Sequence, residues 1–194
     1  MKMDILLDSL YRYYGISKNM KKLLDVVNNN SKVSLRIIDW FVTNYSKKFN
    51  VFYTLYKTPC GKVTFTSEGN EIYKQFNTYQ SYKSQLKSFS KKRFDPFCRR
   101  QRIQFSCNEE QIETTVGQLN FFKWAIDNLI IDYIKLHYSE IEEDMNESYN
   151  MIKKQKKNSK ERKKREELSK SASRVDEEFT SLCHCSRDLV NKFN

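Results

Sequence analysis

Apolar positions follow a helical period at the start of this chain, a strand period soon after, and a helical period again before giving way to a charged tail. Ile5, Leu6, Leu10 and Tyr13, then Met20, Leu23, Leu24 and Val27, recur at spacings of three and four. This predicts helices over 3–14 and 17–28 on either side of Gly15. The polar run Asn28-Asn-Asn-Ser31 interrupts the pattern. Ser31 to Lys48 carries Leu35, Ile37, Ile38, Trp40, Phe41 and Val42, apolar on too many sides for a surface helix. A helix is favoured there, with a strand beginning at Leu35 as the alternative. Val51 to Lys57 and Lys62 to Ser67 alternate around Pro59-Cys60-Gly61 and are rich in Val, Thr, Phe and Tyr, which predicts a β-hairpin.

Glu71 to Ser90 predicts a helix with Ile72, Phe76, Tyr79, Tyr82 and Leu86 on one side. Pro96 disfavours helix at Asp95, so Phe97 to Arg100 is expected in a loop or new turn, and Arg102 to Phe105 as a short strand completing a small sheet. From Ile112 to Met145 the spacing of Leu119, Phe122, Ile126, Leu129, Tyr133 and Leu136 predicts one buried central helix with Lys123 and Asp127 on its narrow polar edge. Beyond about residue 146 the apolar pattern thins. Met151 to Ser171 holds ten Lys or Arg against Glu161, Glu166 and Glu167 with no apolar face, so it is either a solvated helical extension or disordered. Val175, Phe179, Leu182, Leu189, Val190 and Phe193 then allow a short terminal helix. The expected fold is α+β: a mostly helical single domain over 1–145 with a small antiparallel sheet, followed by a lysine-rich, helical or disordered C-terminal tail over 146–194.

Composition narrows the partners. The 194 residues hold 35 Lys plus Arg against 24 Asp plus Glu, a formal net charge of +11, which favours nucleic acid or an anionic membrane. A basic tail without an apolar face argues against the membrane, and no apolar run reaches the roughly 18 residues of a span, so no membrane association is expected. The first residues mix acids with apolar positions and lack a signal-peptide core, so no secretion is implied. Five cysteines in no framework spacing point to a reducing compartment. Neither G-x-x-x-x-G-K-[ST] nor G-x-G-x-x-G occurs, and no cofactor is expected.

The densest candidate chemistry is Lys83 to Arg102, where cations alternate with aromatics around one Asp-Pro break. Lys83, Lys87 and Lys91, spaced by four, form a cationic row on a helix. Arg93, Arg99, Arg100 and Arg102 are expected to contact phosphate, Lys87, Lys91 and Lys92 to add field, and Phe94 or Phe97 to stack on unpaired bases. The competing reading makes Phe94 and Phe97 core anchors and Asp95 a cap for Arg99 or a backbone amide. Catalysis has little to draw on. His137 and His184 are the only histidines, Cys183-His184-Cys185 offers too tight a bite for zinc, and Glu140, Glu142, Glu143 and Asp144 read as an exposed helix end. Asp39 and Asp127, set among apolar neighbours, are expected in ion pairs with Arg36 and Lys123. The chain is expected to have no enzymatic activity and no metal site.

Three blocks carry a resemblance: Val33 to Lys48 (VSLRIIDWFVTNYSKK), Tyr82 to Arg100 (YKSQLKSFSKKRFDPFCRR) and Thr114 to Ile126 (TTVGQLNFFKWAI). In this order they resemble a family of uncharacterised proteins shared among nucleocytoplasmic large DNA viruses of eukaryotes, mimivirus-like agents among them. The similar region runs from about Val33 to Ile134. The resemblance implies a viral protein of the host cytoplasm or virus factory, or one packaged in the virion, and supplies no catalytic residues. It also implies that Asp39-Trp40, the Arg93 to Phe97 turn with Arg99 and Arg100, and Gly117 to Asn120 form one assembled feature. Gly117 would permit close backbone approach there, and the helix-start amides would bind an anion. The leading expectation is a nucleic-acid-binding accessory protein that is indifferent to sequence. The alternative is a virion assembly protein whose basic block binds an acidic viral protein.

Overall fold

The computed structural model describes residues 5–28, 30–99, 101–107 and 110–161, with side chains as far as 155. The chain divides into two compact units after Asn150. The first is an α+β unit of helices with two small antiparallel sheets.

Helices α1 (Ile5–Tyr14) and α2 (Ser17–Val27) form where the periodicity placed them and bury Leu10 and Tyr14, then Met20, Leu23 and Val26. The ambiguous segment is helical. Ser34 caps α3 (Leu35–Trp40) by accepting from the Ile37 amide. A π-helical turn (Phe41–Tyr45) and the short α4 (Ser46–Lys48) follow. The buried residues Ile37, Ile38, Phe41, Val42, Tyr45 and Ser46 repeat every four positions. That period drifts around a helix of 3.6 residues per turn, and the wider π turn takes up the drift, which is why the segment looked apolar on too many sides.

The hairpin is present as β1 (Phe52–Lys57) and β2 (Val63–Thr64), joined through Gly61 at φ 81. The expected helix from Glu71 is not one element. Glu71–Asn77 is a strand, β3, antiparallel to β1 with Tyr53 opposite Phe76, and only Thr78–Arg93 is helix, α5. Two causes decide this. The β-branched and aromatic Ile72, Tyr73 and Phe76 suit a strand with an open β1 edge to pair with, and Asn77 starts the helix by accepting from the Gln80 amide at 2.9 Å. Arg102 to Phe105 is not the completing strand of that sheet. Ile103–Cys107, β4, instead pairs with Glu110–Thr114, β5, in a separate hairpin.

The expected single central helix from Ile112 to Met145 is divided. After β5, Thr115 caps α6 (Val116–Asp127) by accepting from the Gln118 amide at 3.1 Å. Leu129 adopts a left-handed φ of 53, ending that helix before α7 (Ile130–Leu136) and α8 (Tyr138–Glu161). The sheet pins this break: Tyr53 Oη donates to the Asn128 carbonyl at 2.8 Å and Lys74 Nζ to Asn128 Oδ1 at 2.5 Å. Centrality belongs to α6, which buries Leu119, Phe121, Phe122, Trp124, Ala125 and Ile126. Tyr14 reaches it from α1, donating to the Leu119 carbonyl at 2.7 Å. The lysine-rich helix extends to Glu161, while the proposed terminal helix, the rest of the basic run and Cys183-His184-Cys185 lie outside the described residues.

Candidate nucleic-acid interface

Helix α5 carries the first half of the basic block to the surface. Lys83 and Lys87 are exposed one turn apart. The row does not continue to Lys91 as expected. Ser90, at φ 56 and ψ 169, breaks the helical geometry, so Lys91, Lys92 and Arg93 belong to a separate, exposed final turn.

The chain then dives into the core. Phe94 is 1% exposed, with its ring 5.2 Å from Phe121, 5.4 Å from Trp124 and 6.0 Å from Tyr82. It is the anchor of the turn, and burial removes it as a stacking platform. Phe97 behaves differently. It is half-buried, and the Arg99 guanidinium lies over its ring at 4.2 Å. Asp95 shapes the turn by accepting from the Phe97 amide at 2.9 Å, one of the two roles anticipated for it.

What holds this turn is the start of α6. The Asp95 amide donates to the Gly117 carbonyl at 3.2 Å. Gln118 Nε2 donates to the Pro96 carbonyl at 2.9 Å while its Oε1 accepts from the Thr114 hydroxyl at 2.8 Å, so the buried amide is satisfied at both ends. Asn120 Nδ2 donates to the Arg93 carbonyl at 2.9 Å. A Cβ on Gly117 would stand 3.2 Å from the Lys92 carbonyl oxygen and 3.4 Å from the Phe94 nitrogen. The glycine therefore admits protein backbone, not a ligand. The anion expected at this helix start is displaced by the Lys92 to Phe94 chain and by the Thr115 cap.

The third block joins on the other side. Asp39 is half-buried, and its carboxyl is held above the usual range by burial, with Arg99 and Lys91 pulling it down and Asp95 pushing it up. The cations facing Asp39 are Arg99 and Lys91 in place of the expected Arg36, which lies over the Tyr149 ring at 5.3 Å. Asp127 does pair with Lys123, at 3.2 Å. Asp39, the Asp95 turn and Gly117 to Asn120 are brought together, with two carboxylates at the basic block, whereas the Trp40 indole donates at 2.9 Å to Asp144, which is buried and paired with Lys48 and not on an exposed helix end as expected.

The remaining candidates divide. Arg102 is exposed on the second hairpin and paired with Glu113 at 2.9 Å, and Arg100 lies outside the described residues. His137 packs on Tyr133 at 4.5 Å. Among the described residues no group of three His, Cys, Asp or Glu side chains is placed to hold a metal, and no helix is long and apolar enough to cross a membrane. A second group of lysines, Lys22, Lys74 and Lys123, is brought together from α2, β3 and α6. No sequence signal revealed it, because its members are far apart in the chain.

Comparison with known proteins shows this sequence to be similar to a giant-virus protein. The family described as "Family of unknown function (DUF7197)" matches residues 2–193. The uncharacterized protein L507 of Acanthamoeba polyphaga mimivirus is 40% identical over 161 residues, covering 79% of this chain and 58% of its own length. The chain thus spans a little over half the length of that relative. No solved structure matches.

Proposed function

The chain belongs to this family of giant-virus proteins, which carries no assigned activity, and we propose that it is a non-enzymatic nucleic-acid-binding accessory protein in viral DNA handling, transcription or genome packaging. It acts in the host cytoplasm or virus factory, with the virion as a further location. One observation carries the reading: Lys83 and Lys87 are exposed on α5, Lys92 and Arg93 on the turn that follows its break at Ser90, and the chain leaving that turn is clamped to α6 by side-chain hydrogen bonds. A polyanion meets fixed charges on a rigid edge, and little ordering is needed on binding. The Phe97 ring with Arg99 over it supports single strands, because a base extends such a stack. Binding independent of sequence follows from groups that address phosphate.

Fluorescence anisotropy of single- and double-stranded DNA and RNA across a salt series tests this on the full chain. Lys83→Gln/Lys87→Gln/Lys92→Gln should weaken binding and flatten the slope of log K against log salt by about 0.9 for each duplex phosphate that is no longer neutralised, or about 0.7 on single strands. An unchanged slope removes this surface from the reading.

A second reading, an assembly protein that binds an acidic viral partner, is favoured by large apolar side chains left on the first sheet, Phe52 at 61% and Ile72 at 69% exposure. Weak binding to generic nucleic acid would give it precedence, since protein partners discriminate by shape as well as charge.

A further inference from the structure

A cleft of about 1020 Å³ is walled by α1, α2, the β1–β2 hairpin, β3, α5 through Gln85 and Phe89, and the α6–α7 junction, and the exposed Lys83 and Lys87 of α5 are not part of its lining. Its size is at the upper end of the roughly 300–1,000 Å³ usual for small-ligand sites. Five lysines line it, Lys18, Lys22, Lys62, Lys74 and Lys123, against two carboxylates, Asp127 and Asp132.

Both carboxylates are already engaged. Asp127 accepts from the Tyr13 hydroxyl at 2.8 Å and pairs with Lys123 at 3.2 Å, and Asp132 pairs with Lys22 at 2.9 Å. Lys74 is left with a neutral partner, Asn128 Oδ1. Burial lowers its pKa, and Asp127 offsets this only in part. Lys18 and Lys62 are exposed at the rim and form no ion pair among the described residues. The cleft therefore has cationic capacity that the protein itself does not use. Rings stand beside it: Tyr73 of β3 is half-exposed with the Lys74 ammonium 5.5 Å from its centroid, and Phe65, just after β2, and Phe89 of α5 are part-exposed in other parts of the lining.

We propose that this cleft binds a nucleotide, with the phosphate among Lys74, Lys62 and Lys18 and the base against Tyr73, Phe65 or Phe89. An inorganic anion would use only the ammonium groups, and an apolar ligand would leave them uncompensated; a phosphate carrying an aromatic base uses both. The same chemistry arrives as a free mononucleotide or as the phosphorylated end of a strand.

The test is calorimetric titration and thermal-shift measurement on the full chain with AMP, inorganic phosphate, a 5′-phosphorylated dinucleotide and its unphosphorylated counterpart. AMP and the phosphorylated dinucleotide should bind more tightly than the other two, and whichever of them binds better identifies the free or the strand-end source. Lys74→Gln should weaken binding roughly ten- to hundredfold, as removal of a charge-assisted hydrogen bond does. Lys62→Gln, at an exposed turn where folding is not at stake, should weaken it several-fold, and Lys32→Gln, exposed and outside the lining of the cleft, should leave it unchanged. The proposal is overturned if neither AMP nor the phosphorylated dinucleotide binds better than phosphate, if Lys62→Gln binds like the unaltered protein, or if no nucleotide binds at about 1 mM.

Discussion

Phe94 and Phe97 are three residues apart in the same basic turn, and the structure assigns them opposite tasks that a pair of substitutions separates. Phe94 is fully enclosed by Tyr82, Phe121 and Trp124, so Phe94→Ala leaves a ring-sized cavity beneath the turn. Such truncations cost about 3–5 kcal/mol, a large part of the roughly 5–15 kcal/mol that holds a typical domain folded. At about 2–4 °C per kcal/mol for a domain of this size, Tm should fall by roughly 6–20 °C. Phe97 is half-buried and its described ring contact is the Arg99 guanidinium. Phe97→Ala should cost no more than about 1 kcal/mol, the order of an exposed cation–π contact. In the proposed binding it should instead weaken single-strand affinity by about 1–3 kcal/mol, the contribution of one stacked base. Urea denaturation followed by tryptophan fluorescence measures the stabilities, and Trp124 against the Phe94 ring reports the cavity directly. The reasoning fails if Phe94→Ala costs less than about 1 kcal/mol, or if Phe97→Ala destabilises as much as Phe94→Ala.

Two further predictions address the clamp and the buried acid. Gly117→Val places branched carbon atoms where the Lys92 to Phe94 backbone already lies, and should destabilise by about 1–3 kcal/mol as overpacking does; a Tm equal to that of the unaltered protein would show that the turn moves aside freely. Because burial raises the Asp39 pKa above its unfolded value, the charged form carries a penalty at neutral pH that disappears as pH falls through the folded pKa. Asp39→Asn should therefore be neutral or stabilising near pH 7, with its advantage vanishing in acid; urea midpoints across this range decide it, and a loss at neutral pH would mean that Arg99 and Lys91 outweigh burial.

The sequence alone determined what depends on near neighbours. Helices α1 and α2 and the β1–β2 hairpin follow from local periodicity and turn chemistry, a helix is favoured over a strand for Leu35 to Lys48, and the α+β class follows from their sum. The same holds for the exposure of Lys83, Lys87 and Lys92, since charged stems on a helix stay in water by default. Tertiary structure decided the rest, where two local choices were close in free energy. Glu71 to Asn77 reads as helix by spacing, yet pairing with β1 satisfies its backbone hydrogen bonds and makes it a strand. The long apolar run divides at Leu129 because Tyr53 and Lys74, distant in the chain, hold Asn128. Phe94 and Phe97 have the same chemistry, and only the position of α6 buries one and leaves the other at the surface. Charge is the clearest case. The chain shows eight cations against one acid between Lys83 and Arg102, but the fold brings Asp39 to Arg99 and Lys91, and Glu113 to Arg102. Electrostatic interaction falls off with distance in space and not along the sequence, so the character of this surface became definite only when the chain folded.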